Sequence, residues 1–387
     1  MQKSATLFVP IYFAAFFFTL QTSLPLYINS SFLGQFLPEK SIGLIFAASS
    51  ILIIFFLVVF PTILQKIGNY KTIIWILVLE IGLLIALAVS SVPFIVIPIF
   101  ILIQICIALV SFTFDIFLEQ FSKDKTTGAT RGTFLTVVNA AILLGPLIAG
   151  FILSDNDFWK IYLIAAFALV PAIYVITQTL KDFKDHQYNK IPYIKILIST
   201  VLSRHPKDEV RHALIASLLL WFFYAWMVIY TPLYLHAHIG FTWAEIGVIF
   251  TIMLIPFLLF ELPMGKLADR VGEKKIMLAG FFIMSFFTAT LFFIREPSII
   301  LWAAFLFCTR IGASFVEITS ESYFFKHIES ADANILSVFR NSAPFAYIVG
   351  PIIASLLLIF MDIQFLFLVL AAILLFGIWN AWKMRAF

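Results

Sequence analysis

Charge is scarce in this chain. Only 12% of its 387 residues are Asp, Glu, Lys or Arg, and 62% are apolar. Soluble domains hold roughly 45–50% apolar residues, so a water-exposed surface cannot be built from this composition. Cysteine is nearly missing: Cys106 and Cys308 both fall inside apolar runs. They read as small apolar fillers and imply no disulfide framework. There is no Gly-x4-Gly-Lys-Ser/Thr loop, no His-Glu-x-x-His and no paired-cysteine spacing. Direct use of ATP and a metal site therefore have no sequence support. His236-Ala-His238 is a possible ligand pair on paper, and a solvated loop is the expectation for it. No cofactor and no catalytic residues are expected. An enzyme should show a catalytic cluster and a sensor an extramembrane domain. Neither is visible, so a non-transporting membrane protein stands as the lesser alternative.

What is present is apolar length. Mean hydropathy is +1.06. Twelve runs near or above the roughly 20 residues that cross a bilayer occur at 7–28, 42–63, 72–91, 94–118, 133–153, 159–179, 213–235, 244–264, 276–294, 299–322, 336–360 and 364–382. The alternation of a barrel is absent and a lipid-exposed strand edge is intolerable, so these runs are helices. The first lacks a small-residue cleavage site and reads as a span. The fold class is an all-α integral membrane protein with twelve transmembrane helices. With the N-terminus inside, 21 of the 25 Lys and Arg are cytoplasmic, Lys40, Lys160 and Arg295 are external, and Arg310 is inside a span. That asymmetry places both termini in the cytoplasm of a plasma (inner) membrane protein. The net charge of +4 then reflects topology, and nucleic acid is not a partner.

The chain also repeats itself. "IGLIF" at 42–46 returns as "IGVIF" at 246–250, an offset of 204. At an offset of 202, Cys106, Asp115 and Glu119 answer Cys308, Glu317 and Glu321. "GPLIAG" at 145–150 answers "GPIIAS" at 350–355. Two six-span halves in the same orientation follow, 1–180 and 212–387, joined by a polar segment at 181–211. Within that segment, 191–205 spaces Ile194, Leu197, Ile198, Val201 and Leu202 along one helical face. It is too short to span and reads as an interfacial helix. Parallel six-span repeats suit a secondary transporter with its site between the halves.

The densest charge, "GKLADRVGEKK" at 265–275, lies between two of the longest apolar runs. It resembles the signature loop of the major facilitator superfamily, Gly-x-Leu-Ala-Asp-Arg-x-Gly-x-Lys/Arg-Lys/Arg, at Gly265, Leu267, Ala268, Asp269, Arg270, Gly272, Lys274 and Lys275. The earlier copy at 61–71 keeps Lys66, Gly68 and Lys71 but has lost its first Gly and its Asp. Gly265 and Gly272 permit close helix approach and a tight turn. Asp269 suits the positive end of a neighbouring helix, and Arg270 suits an acid. Contacts of that kind act as a latch for one state of alternating access. By pseudo-symmetry their partner is expected at the start of span 5, near Arg131 and Gly132.

Span 5 runs Gly132, Ala141, Gly145-Pro146, Ala149-Gly150. This resembles the antiporter signature of the family's drug/proton exporters, with Ala in two of the Gly places. Pro146 bends the helix and small residues let it pack closely, as a gating helix requires. The resemblance further implies that spans 1, 4, 7 and 10 line a cavity. Tyr12, Thr19 and Gln21 on span 1, and Trp221, Tyr224 and Tyr230 on span 7, are the candidates for its wall. Aromatic faces there suit an apolar or cationic solute. Trp226 continues the span 7 series, while Tyr234 is expected in the interfacial aromatic belt.

Coupling is expected on span 10. Arg310, Glu317 and Glu321 lie within about 20° of one helical line, with Arg310 and Glu317 about 10 Å apart along the axis. Span 4 has Ala108 where span 10 has Arg310, so the repeat breaks at a residue that is costly in hydrocarbon. Glu317 is the expected proton carrier. Asp115, its counterpart on span 4, is ambiguous. Glu119 and Lys123 read as an interfacial pair, and Glu80, lone in span 3, as a hydrogen-bonded structural group. The resulting expectation is a monomeric secondary transporter that moves a small organic solute by alternating access. Proton-coupled export leads, and uptake of a sugar or other nutrient is the alternative.

Overall fold

The structure, a computed structural model, describes residues 2–121, 127–154, 157–181, 183, 208–327, 339 and 342–384. Side chains are described at 9–118, from 133 and from 210 within those stretches, Leu262 excepted. The expected interfacial helix at 191–205, the Glu119–Lys123 pair, Arg131 and the Gly132 surroundings lie outside these. Helices account for almost all of the described chain. The first six spans are α1 (Gln2–Leu26), α2 (Glu39–Ile67), α3 (Asn69–Val89), α4 (Pro93–Phe121), α5 (Thr127–Ile152) and α6 (Phe158–Thr179). The second six are α7 (Asp208–Tyr234), α8 (Trp243–Val271), α9 (Glu273–Leu291), α10 (Ile299–His327), α11 (Ser342–Leu357) and α12 (Phe365–Lys383). Eleven are long and apolar enough to cross a bilayer, and α11 is a shorter apolar helix. One short helix, Asn29–Gly34, follows α1, and a π-helical turn, Leu235–Ile239, follows α7.

The repeat seen in sequence is also a repeat of backbone geometry. Gly68, between α2 and α3, has φ 86° and ψ 153°; Gly272, between α8 and α9, has φ 89° and ψ 141°. Only glycine enters that region without strain. Each reversal therefore needs its glycine, which is why Gly68 survives in a copy that lost its first Gly and its Asp.

By contact the chain divides into two compact units. One is Met1–Phe36 with Ala48–Ile191, the other Leu37–Ala47 with Pro192–Phe387. The first two turns of α2 thus belong with the second unit. There a Cβ on Gly43 would stand 2.2 Å from the Tyr230 hydroxyl and 2.8 Å from the Pro351 carbonyl.

In the first unit α1 packs on α5 and α6, and α3 packs on α4 and α6. Ser23 donates a hydrogen bond to the Ala141 carbonyl at 2.9 Å, and Tyr162 donates to Asn29 at 2.9 Å. At Gly145 the α1 backbone comes so close that a Cβ would meet Ser23 carbon atoms at 2.6 Å. Gly145→Ala is accordingly expected to cost about 1–3 kcal/mol through overpacking. Gly82→Ala, where nothing lies within 4 Å, should be neutral or stabilising. Thermal unfolding of the two variants in detergent checks the pair, and equal melting would refute the close approach.

In the second unit α10 packs on α7, α8 and α9, and α12 on α7 and α9. Polar clasps fix the ends. His212 Nδ1 lies 2.7 Å from Asn380 Oδ1, Asn380 donates to the His212 carbonyl at 2.9 Å, and Lys274 donates to the Met384 carbonyl at 2.7 Å.

Candidate functional site

The charged residues of α10 meet the aromatic face of α7 within the second unit. Arg310 is 1% exposed, so its charge must be balanced by protein. Its guanidinium lies over two rings, 5.0 Å from the Phe223 centroid and 5.2 Å from that of Tyr224. Among the described residues its Nε has no hydrogen-bond acceptor. The ring faces therefore carry much of its stabilisation, and a desolvated cation–π contact is worth about 2 kcal/mol or more. Tyr224 then turns its hydroxyl the other way and donates to Glu317 Oε2 at 2.7 Å. The axial gap between Arg310 and Glu317 is thus bridged by one tyrosine, whose ring takes the cation and whose hydroxyl takes the carboxylate.

Glu317 also shares its field with Glu321, one turn on along α10, and with Glu261 of α8. Glu261 was not singled out in the sequence, where it passes as one acid just before Pro263 at the end of an apolar run. Its spacing carries no periodic signal. Only the packing of α8 on α10 brings it to Glu317. Trp221 packs edge-on against Tyr224 at 5.4 Å, and Phe257 of α8 lies 6.1 Å from the same ring. The result is an acidic cluster with aromatic sides and one buried cation.

The other span 7 candidates do different work. Trp226 donates to the Gly350 carbonyl at 2.8 Å, and Tyr230 reaches the Pro351 carbonyl at 3.4 Å. Both are buried and tie α7 to the proline-bent part of α11. Tyr234 departs from the interfacial-belt expectation: it is 2% exposed, and its hydroxyl accepts from Arg295 at 3.0 Å. Its ring stacks on His238, whose Nε2 lies 2.8 Å from Glu39 at the start of α2. His238 is exposed, as the solvated loop expected from the sequence requires, while His236 is half-buried with its Nδ1 2.9 Å from the Phe241 carbonyl.

In the first unit, Gln21 and Thr19 are buried and Tyr12 is half-buried on α1. Gln21 neighbours Glu80 of α3. Asp115 is exposed on α4. Gly145, Pro146 and Gly150 are all buried on α5.

The signature loop closes on α10. Lys326 donates to Asp269 Oδ1 at 2.9 Å and to Glu273 Oε1, and Ser322 donates to Glu273 at 3.0 Å. Glu273 is 2% exposed and sits in the first turn of α9, where the helix dipole favours an acid. Asp269 lies at the end of α8, and the cation it meets is Lys326. Gly265 faces Ile318 of α10, with a Cβ position 3.3 Å away. Arg270 and Lys275 are exposed.

Known proteins resemble this chain in both sequence and fold. The sequence matches the Major Facilitator Superfamily over residues 7–247 and 213–386. The crystal structure of the nucleoside transporter NupG superposes with a TM-score of 0.73 at 14% identity, over 98% of this chain and 100% of that one. A POT family transporter in complex with a thioalcohol-conjugated peptide gives 0.71 at 14%, over 97% and 94%. The human organic anion transporter MFSD10 gives 0.66 at 12%, over 98% and 99%. Identities that low speak to the fold alone. The uncharacterized transporter YybO of Bacillus subtilis (strain 168) is 29% identical over 133 residues, which are 34% of this chain and 30% of that protein. The matched stretch thus spans under a third of that relative. A family match along nearly the whole chain and a fold of twelve apolar helices lead to one conclusion: this chain belongs to the major facilitator superfamily and is a multi-pass membrane transporter of a small solute, not an enzyme.

Proposed function

We propose that this transporter exports a small organic solute in exchange for protons, with both termini in the cytoplasm. The observation that carries the reading is the Tyr224–Glu317 hydrogen bond beside buried Arg310. One guanidinium cannot balance both Glu317 and Glu261. In a membrane interior the remaining negative charge calls for a proton or for the positive group of a solute. When two positive species compete for one acid, each displaces the other, and alternating access turns that competition into exchange. Trp221, Tyr224 and Phe257 supply faces on which an apolar or cationic body can stack. The small-residue path through Gly145, Pro146 and Gly150 supports the same direction. The signature loop, with Asp269 and Arg270, serves as the latch toward the start of span 5, and within the second unit Lys326 holds Asp269 and Glu273 in place for it. The second reading is proton-coupled uptake, which the names of the nucleoside and peptide transporters sharing this fold keep in view.

A thermal-shift panel of aromatic cations, nucleosides and dipeptides on purified protein supplies the solute. Glu317→Gln, compared with wild type in proteoliposomes, then tests the coupling. Proton-driven transport is expected to fall to background while solute exchange without a gradient persists. Survival of both would remove Glu317 from the coupling. The direction of flux in sealed vesicles under an imposed pH gradient separates export from uptake.

A further inference from the structure

The transport site leaves one buried acid unused. Glu80 lies midway along α3 with no exposed surface. Its polar neighbour is Gln21 of α1, which is equally buried. Neither oxygen of Glu80 and neither amide atom of Gln21 finds a hydrogen-bond partner among the described residues. The group that could make Glu80 the hydrogen-bonded structural acid expected from the sequence is this Gln21 carboxamide.

The helices packed on α3 do not balance its charge. From α4 comes the buried thiol of Cys106, near enough to sense the carboxylate. The middle of α6, from Ala165 to Ala172, is wholly apolar. The described cations these helices carry stand at their starts: Lys71 is exposed, and Lys160 is paired with Asp157. Asp115 of α4 adds negative charge and is exposed.

A carboxylate so placed is costly, and the cost goes with the charge. A carboxylic acid and a carboxamide are complementary. The acid O–H donates to Gln21 Oε1, and Gln21 Nε2 donates to the other Glu80 oxygen, satisfying all four groups after small side-chain rotations. We propose that Glu80 and Gln21 form a proton-binding site inside the first unit, where the bound proton lets Glu80 join α3 to α1 through the Gln21 carboxamide. Both helices lean on α6, so the proton works as a removable pin between them. Binding moves one proton from solvent onto a carboxylate oxygen, and release returns it. The site involves none of the acids of the second unit and does not depend on their role in coupling.

Infrared spectroscopy of the reconstituted protein at neutral pH tests this directly. The wild type is expected to show a carboxylic C=O stretching band that shifts to lower frequency in D2O. That band should vanish in Glu80→Gln and remain in Glu317→Gln. Gln21→Leu should keep the band but move it to higher frequency, since the carbonyl loses its donor. Glu80→Gln mimics the protonated form and should melt near wild type, whereas Glu80→Leu, which strands Gln21, should melt lower. A spectrum unchanged by Glu80→Gln overturns the proposal, as does a Glu80→Gln protein that melts as low as Glu80→Leu. Loss of coupling in Glu317→Gln with an intact Glu80 band would leave the two sites independent, as stated.

Discussion

Arg310→Lys is expected to abolish most transport while the protein still folds. Lysine keeps the charge but not the plane. A guanidinium lies flat on two rings at once, as Arg310 does on Phe223 and Tyr224; an ammonium is a compact point charge that prefers water. Losing a desolvated cation–π contact of about 2 kcal/mol corresponds to roughly a 30-fold change in an equilibrium constant. The cation would then draw toward Glu317 or toward solvent. Either movement releases the Tyr224 ring and with it the hydroxyl that holds Glu317 Oε2 at 2.7 Å. Flux of the solute found by the thermal-shift panel should fall by about that factor. Tyr224→Phe should reproduce part of the loss, because it keeps the ring under Arg310 and removes only the bond to Glu317. A lysine variant with wild-type flux would mean that charge alone matters at 310, and the stacked geometry would lose its functional meaning.

How much of this was legible in the sequence depends on how local the signal is. Spans announce themselves because a bilayer needs a continuous apolar run, and the repeat because two copies of one turn need the same backbone. Gly68 and Gly272 show this, since the dihedral requirement is local to one residue. The alignment of Arg310, Glu317 and Glu321 was also legible, as helical phase is fixed within one element. What was not legible is anything that crosses between helices. Phase on α10 cannot reveal that Tyr224 stands between Arg310 and Glu317, or that α8 brings Glu261 beside them. Likewise Lys326, a lone cation after span 10, gave no sign that it would meet Asp269 and Glu273. Tyr230 shows the same limit: aromatic spacing on one helix places its ring but does not reveal that its hydroxyl meets the Pro351 carbonyl of α11.

Gly312→Val is expected to be the most destabilising single change in the second unit, for a reason that also bears on the site. A Cβ at Gly312 would stand 2.6 Å from the Gly280 carbonyl oxygen and 2.7 Å from the Met284 nitrogen. A Cβ at Gly280 would stand 2.8 Å from the Gly312 carbonyl oxygen in return. The backbones of α9 and α10 therefore touch through reciprocal glycines, the close approach on which membrane helices rely for association. No flexible side-chain end can yield at these backbone contacts, so the helices must part. Overpacking by even a methylene or two costs about 1–3 kcal/mol, which for a unit of this size is about 2–12 °C in melting temperature. Gly312→Ala should show a smaller fall, and Gly82→Val, at an exposed glycine with nothing within 4 Å, almost none. The position adds a functional reading. Gly312 lies two residues from Arg310 and five from Glu317, so the crossing fixes the rotation of α10 that aims both at Tyr224. Gly312→Ala is accordingly expected to lose transport out of proportion to its loss of stability. Transport that simply tracks melting temperature would show that the crossing holds the helices together without orienting the site.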